Sequence, residues 1–157
     1  MELKDIRFKR YSTVKFTHII IHHSEDEDTE RDDWYGIDRY HTVDKGWSEV
    51  GYHFGSEIYN GKHVVCIGRS LAKAGGHTMG MNEVSIGICL VGNYDFHEPI
   101  QEQYDLLGEL CRTLMIQFDI PIENVKRHSD YSEKTCPGRM FDMAKRKASI
   151  QGRTTYV

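Results

Sequence analysis

The 157-residue sequence is short of several features, and each shortage removes a class of function. Its longest apolar stretches, around FTHIII (16–21) and SIGICLVG (85–92), fall far below the ~20 residues of a membrane-spanning helix. Membrane insertion is therefore not expected. The first sixteen residues, MELKDIRFKRYSTVKF, are charged throughout and hold no apolar stretch of signal-peptide length. Cytoplasmic synthesis without a signal peptide is the expectation, so any action outside the cell needs another means of release. Only three prolines and no internal repeat occur, which leaves no Pro-rich linker or solenoid. The four cysteines (Cys66, Cys89, Cys111, Cys136) lie more than twenty residues apart with no C-x-x-C pair. That excludes a four-cysteine zinc ribbon and a dithiol redox motif, and the thiols read as those of a reducing cytosol. The formal charge of -4 and pI near 6.1 give no basic footprint, so a nucleic-acid partner is not expected.

The chain does have the material of a core: 39% hydrophobic and 11% aromatic residues in 18.3 kDa, enough for one domain over 1–157. The β-branched run KFTHIIIHH (15–23) reads as a buried strand. SEDEDTERDD (24–33) packs seven acids into one loop but lacks the glycine and terminal glutamate of an EF-hand, so it reads as a solvated loop before a helix. That helix is predicted from about Asp32 to Asp44, with Trp34, Ile37, Tyr40 and His41 on one apolar stripe and Gly46 ending it. Residues 51–58 and 62–69 flank Asn60-Gly61, a strong hairpin signal. A buried strand over 84–92, a long amphipathic helix after Pro99, a short strand near Val125 and a final helix from about Met140 complete the pattern. Tyr104, Leu107, Leu110, Cys111, Leu114 and Phe118 form the long helix's inner face. Interleaved strands and helices predict an α/β fold: a single domain with a central mixed β-sheet flanked by helices. From Lys126 to Arg153 there are eight basic and three acidic residues, a flank that suits contact with an anionic polymer but reads first as a solvated helix face.

Chemistry concentrates in the nine histidines. His22 and His23 end the first strand, His53 lies in GYHF, His77 follows Gly75-Gly76, and His128 stands eight positions before Cys136. No H-E-x-x-H occurs, so a helix-borne zinc site is excluded. A strand-end histidine, a distant histidine and a cysteine before Pro-Gly suit Zn²⁺, which accepts imidazole nitrogen and thiolate sulfur and keeps an open position in catalytic sites. Periodicity leaves His22 and His23 as alternatives, since neighbouring strand residues point to opposite faces. Cys66, Cys89 and Cys111 read as small core residues.

IIIHHS (19–24), WSEVGYHF (47–54), AGGHTMGMNEVSIGICLVGN (74–93) and RHSDYSEKTCPGR (127–139) run in an order that carries a resemblance. The sequence resembles the zinc-dependent N-acetylmuramoyl-L-alanine amidases shared by phage lysozymes and peptidoglycan recognition proteins, over about residues 16–146. The resemblance implies a bound Zn²⁺, peptidoglycan as partner, and cleavage of the amide between N-acetylmuramic acid and L-alanine; a monomer is the separate expectation for the chain. It assigns His22, His128 and Cys136 as metal ligands, Tyr52 and Lys134 as the catalytic pair, and His77 and Asn82 as groove residues. Tyr52 as oxyanion donor and Tyr52 as orienter of the attacking water stay open.

Four functions compete on this basis. A phage or prophage endolysin, bacteriolytic after its release to the wall, is the leading expectation. A cytosolic amidase trimming soluble muropeptides would use the same site. A non-catalytic peptidoglycan-binding module is disfavoured by Cys136, because members that only recognise the polymer commonly lack that ligand. A Cys136–His128 protease is disfavoured by Pro137, which removes a backbone N–H from the usual oxyanion position.

Overall fold

The computed structural model describes residues 14–26 and 33–152. Most of the acidic stretch, the first thirteen residues and Arg153 lie outside the described residues. Five strands form one sheet in the order β3-β2-β4-β1-β5. They are β1 (His18–His23), β2 (Phe54–Tyr59), β3 (Lys62–Ile67), β4 (Ser85–Leu90) and β5 (Val125–Arg127). Only β2 and β3 run antiparallel; β1 is parallel to β4 and β5, and β2 is parallel to β4. The mixed sheet flanked by helices is the architecture the sequence predicts.

The hairpin turns where Asn60 and Gly61 both adopt positive φ, 51° and 73°, the geometry that a two-residue turn needs to follow the strand twist. β1 and β4 are buried without alternation because both faces of a parallel pair are covered. Their register sets Ile19 beside Ile86 and Ile21 beside Ile88. These four join Leu90, Val125 and helix α2 (Gln101–Phe118) in the core. Tyr104, Leu107, Leu110, Cys111 and Leu114 of α2 are buried, while Phe118 sits edge-on to Phe16 with ring centroids 5.4 Å apart.

Helix α3 (Met143–Ile150) packs on α2, and Arg112 binds its carbonyls at Ser149 and Ile150. It starts three residues later than the predicted Met140. Asp142 is its cap, accepting the Ala144 and Lys145 N–H groups at 2.8 and 3.1 Å, and a cap residue fixes a start more firmly than apolar spacing does.

The opposite sheet face carries Ile20 and His22 on β1 and Ser85, Gly87 and Cys89 on β4, by strand alternation. Above it lies α1 (Trp34–Arg39), continued by a π-type turn over Tyr40–Asp44. Asp33 caps α1 by accepting the Gly36 N–H at 2.8 Å, one residue beyond the predicted start at Asp32. Trp34 anchors the helix to β2: its backbone N–H donates to Glu57 Oε2 at 2.8 Å and its indole lies on Gly55. None of the α1 residues is fully buried, although the sequence shows one apolar stripe there. Gly36, Ile37, Tyr40 and His41 instead line a cavity of about 760 Å³ between this segment and the sheet.

Candidate metal centre

The cavity opens over the C-terminal ends of the parallel strands, the usual place for ligands on such sheets. His22 is the penultimate residue of β1, in register with Cys89 of β4, which is in turn beside Gly55 of β2. His128 follows β5 directly and opens a 3-10 turn over His128–Asp130. The loop beyond returns Cys136 to the same spot, pinned where the Ser129 N–H donates to the Cys136 carbonyl at 2.8 Å.

The structure therefore gathers His22, His128 and Cys136, whose ligand atoms all lie within 4.8 Å of one another. His22 Nδ1 stands 3.6 Å from Cys136 Sγ, and the His22 and His128 ring centroids are 4.5 Å apart. Tetrahedral zinc at usual bond lengths separates its ligand atoms by about 3.3–3.8 Å, so this N–S pair already has the required spacing. Two imidazoles and one thiol within one cation's reach fit a borderline-soft metal and leave a fourth position. The backbone N–H of His23 points at Cys136 Sγ from 3.4 Å, which favours sulfur as a thiolate. His23, the alternative at the strand end, has its Nδ1 occupied by the Tyr94 N–H at 3.1 Å and its ring stacked on Tyr94.

Burial dominates the electrostatics. It lowers the pKa of His22 well below the ordinary imidazole value, with His77, His128, His23 and Lys134 adding to the effect. Burial and then Lys134 lower His128 too, so both rings are neutral and present lone pairs near neutral pH. The Cys136 thiol is pushed up to about 12, chiefly by burial. A metal held by this sulfur would therefore have to displace the thiol proton.

Tyr52, Lys134, His77 and Asn82 all border the same cavity. Tyr52 precedes β2 with its ring 5.0 Å from that of His22, and burial followed by the neighbouring Cys89 and Cys136 keeps its hydroxyl protonated. Lys134 is exposed on the rim. Asn82 turns its Oδ1 toward the backbone, accepting the N–H groups of His77 and Thr78 at 2.7 and 2.8 Å. The His77 ring reaches under His22, with Nδ1 2.9 Å from His22 Nε2. Cys89 is fully buried, as a core residue would be, but lies beside the Tyr52 hydroxyl and Cys136.

Sequence reasoning did not single out His41, Lys45 or Thr78 as site residues. Lys45 Nζ lies 4.7 Å from the Trp47 ring centroid and 5.4 Å from that of Tyr40, which draws a cation onto the aromatic wall. The signal for this wall was the helix stripe itself, because an apolar face reads alike whether it packs against a core or borders a cavity. His53 is structural: Nδ1 accepts the Gly87 N–H at 3.1 Å and Nε2 donates to the Lys73 carbonyl at 3.0 Å.

Comparison with known proteins agrees with this layout. A family model described as N-acetylmuramoyl-L-alanine amidase matches residues 12–139. The endolysin of Enterobacteria phage T3 is 30% identical over 143 residues, covering 88% of this chain and 88% of the phage protein. Peptidoglycan-recognition protein LB of Drosophila melanogaster is 28% identical over 104 residues, 65% of this chain and 44% of its own. Among solved structures, the endolysin amidase LysCS from Clostridium intestinale URNW is similar with a TM-score of 0.75 at 27% identity, 93% of each chain being covered.

Proposed function

The chain belongs to the N-acetylmuramoyl-L-alanine amidase family, and from that premise we propose that it is a zinc-dependent endolysin with His22, His128 and Cys136 as the metal ligands. It is a peptidoglycan amidase, acting on the amide that joins N-acetylmuramic acid to L-alanine. The observation that carries the metal assignment is the convergence of three donors of suitable chemistry from widely separated parts of the chain. When bound, zinc supplies Lewis-acid chemistry, acidifying a water and polarising an amide carbonyl.

The protein's own groups supply the rest. The cavity, about 760 Å³ and open to solvent, takes in the stretch of wall polymer that contains the amide. Lys134 brings a compact cation to the rim, where negative charge develops on the carbonyl oxygen during attack. Tyr52, held as a phenol beside His22, donates a hydrogen bond to that oxygen. The Tyr40–Lys45–Trp47 wall and the loop bearing Asn82 flank the substrate on either side.

The endolysin role is supported by the likeness to the phage T3 endolysin over 88% of both chains. Action on the cell wall follows release from the cytoplasm, and none of the described helices is long and apolar enough to cross a membrane. Purified sacculi provide the test. Chelator treatment is expected to abolish release of new alanine amino termini, and one equivalent of zinc to restore it. Full turnover by metal-free protein overturns the zinc assignment. A strong preference for soluble muropeptides over intact sacculi overturns the endolysin role.

A further inference from the structure

We infer that His77 is a positioning residue that fixes the tautomer of His22, so that Nδ1 and not Nε2 of His22 faces the metal; the inference rests on the zinc site proposed above. The argument is one of donors and acceptors. His77 Nε2 lies 3.3 Å from the Ser85 carbonyl oxygen and 3.5 Å from the Ser85 hydroxyl. That hydroxyl already donates its proton to the Met81 carbonyl at 2.6 Å, so both neighbours of His77 Nε2 are acceptors. His77 Nε2 must therefore carry the ring proton, which leaves Nδ1 with a lone pair.

His77 Nδ1 meets His22 Nε2 at 2.9 Å, and the Thr78 hydroxyl lies 2.9 Å from His77 Nδ1 and 3.3 Å from His22 Nε2. An acceptor there draws the proton of His22 onto Nε2, directly or through the Thr78 hydroxyl. His22 Nδ1 is then free of hydrogen, and it is the atom that stands 3.6 Å from Cys136 Sγ. The chain of bonds runs from a backbone carbonyl through one imidazole to another. It does what a single carboxylate or carbonyl does behind many metal-bound histidines: it sets ring orientation and raises ligand basicity.

The fold makes specific room for this ring. A Cβ on Gly87 would come within 2.5 Å of the His77 ring, and one on Gly75 would do the same from the loop. Asn82 Oδ1 holds the backbone N–H groups of both His77 and Thr78, so ring and hydroxyl are presented together. A residue kept only to contact substrate would not need an acceptor at its buried nitrogen or two glycines against its ring.

The experiment is a long-range proton–nitrogen correlation on nitrogen-15-labelled, zinc-loaded protein. Expected are a metal-shifted Nδ1 and a protonated Nε2 for His22, and a protonated Nε2 for His77. Zinc affinity by chelator competition is expected to fall 10–100-fold in His77→Leu. It should largely recover in His77→Asn, whose Oδ1 replaces the Nδ1 acceptor. Zinc bound through His22 Nε2, or wild-type zinc affinity in folded His77→Leu, overturns the inference while leaving the metal site intact. A wild-type chain that takes up no zinc overturns the metal assignment and this inference with it. The spectrum of the wild-type protein decides the tautomer even where a variant fails to fold.

Discussion

Replacing His41 by asparagine tests how the cavity wall is held. His41 is buried in the π-type turn, its Nδ1 accepts the Gly51 N–H at 3.0 Å, and its ring lies against Trp47 and Tyr52. Burial first, then the charges of Lys45 and Arg69, outweigh Asp38 and lower its pKa to about 4. In the unfolded chain the same imidazole titrates near its ordinary value of ~6.5. Between those values the folded state binds fewer protons than the unfolded state, so stability falls as pH falls. For one such site the loss is about 2 kcal/mol from pH 7 to pH 5, levelling off near ~3 kcal/mol below pH 4. Asparagine sets its Oδ1 where Nδ1 stands and keeps the Gly51 bond, but has no charge to take up. His41→Asn is therefore expected to be less stable than wild type by about 1–2 kcal/mol at pH 7, from lost ring contacts. By pH 5 that deficit should vanish or change sign. Urea unfolding of both proteins at the two pH values, in chelator and at constant ionic strength, measures the difference. His53 and His77 slope both curves equally and drop out of the comparison. Curves that stay parallel between pH 7 and pH 5 refute the reasoning.

If Lys134 has the oxyanion role proposed for it, Lys134→Met should lower kcat on sacculi about 10²–10³-fold while zinc content matches that of wild type, because the side chain is exposed on the rim and its loss spares the fold. Unchanged kcat would remove it from the mechanism. Gly55→Ala puts a Cβ 2.3 Å from Trp34 Cε3 and Cζ3, so the indole and with it α1 must shift. A cost of about 1–3 kcal/mol and a raised KM are expected, read by urea unfolding and steady-state kinetics. A variant with native stability and KM would show that α1 does not depend on that contact.

Features governed by local backbone chemistry were legible in the sequence. Asn60-Gly61 declares a hairpin because few other pairs tolerate two positive φ angles in succession. The Ile19–Ile21 run declares a strand covered on both faces. What was illegible depends on which surface an apolar face meets. Trp34, Ile37, Tyr40 and His41 have helical spacing, yet Ile37, Tyr40 and His41 look onto the cavity. The choice between His22 and His23 was beyond periodicity and came from the family pattern; in the structure His22 lies with His128 and Cys136, their ligand atoms within 4.8 Å of one another, while the Tyr94 N–H occupies His23 Nδ1. The contact between His77 and His22 had no sequence signal at all, since it joins two rings fifty-five positions apart through a 2.9 Å approach.

The donor trio and the aromatic wall come from different stretches of chain. Tyr40, Lys45 and Trp47 reach the cavity from the segment before β2, whereas Cys136 arrives on a loop after β5. On the proposed assignment, exchange of the Cys136 sulfur for an inert side chain would remove a metal donor and leave the Tyr40–Lys45–Trp47 wall in place, so the loss of one function need not carry the other with it.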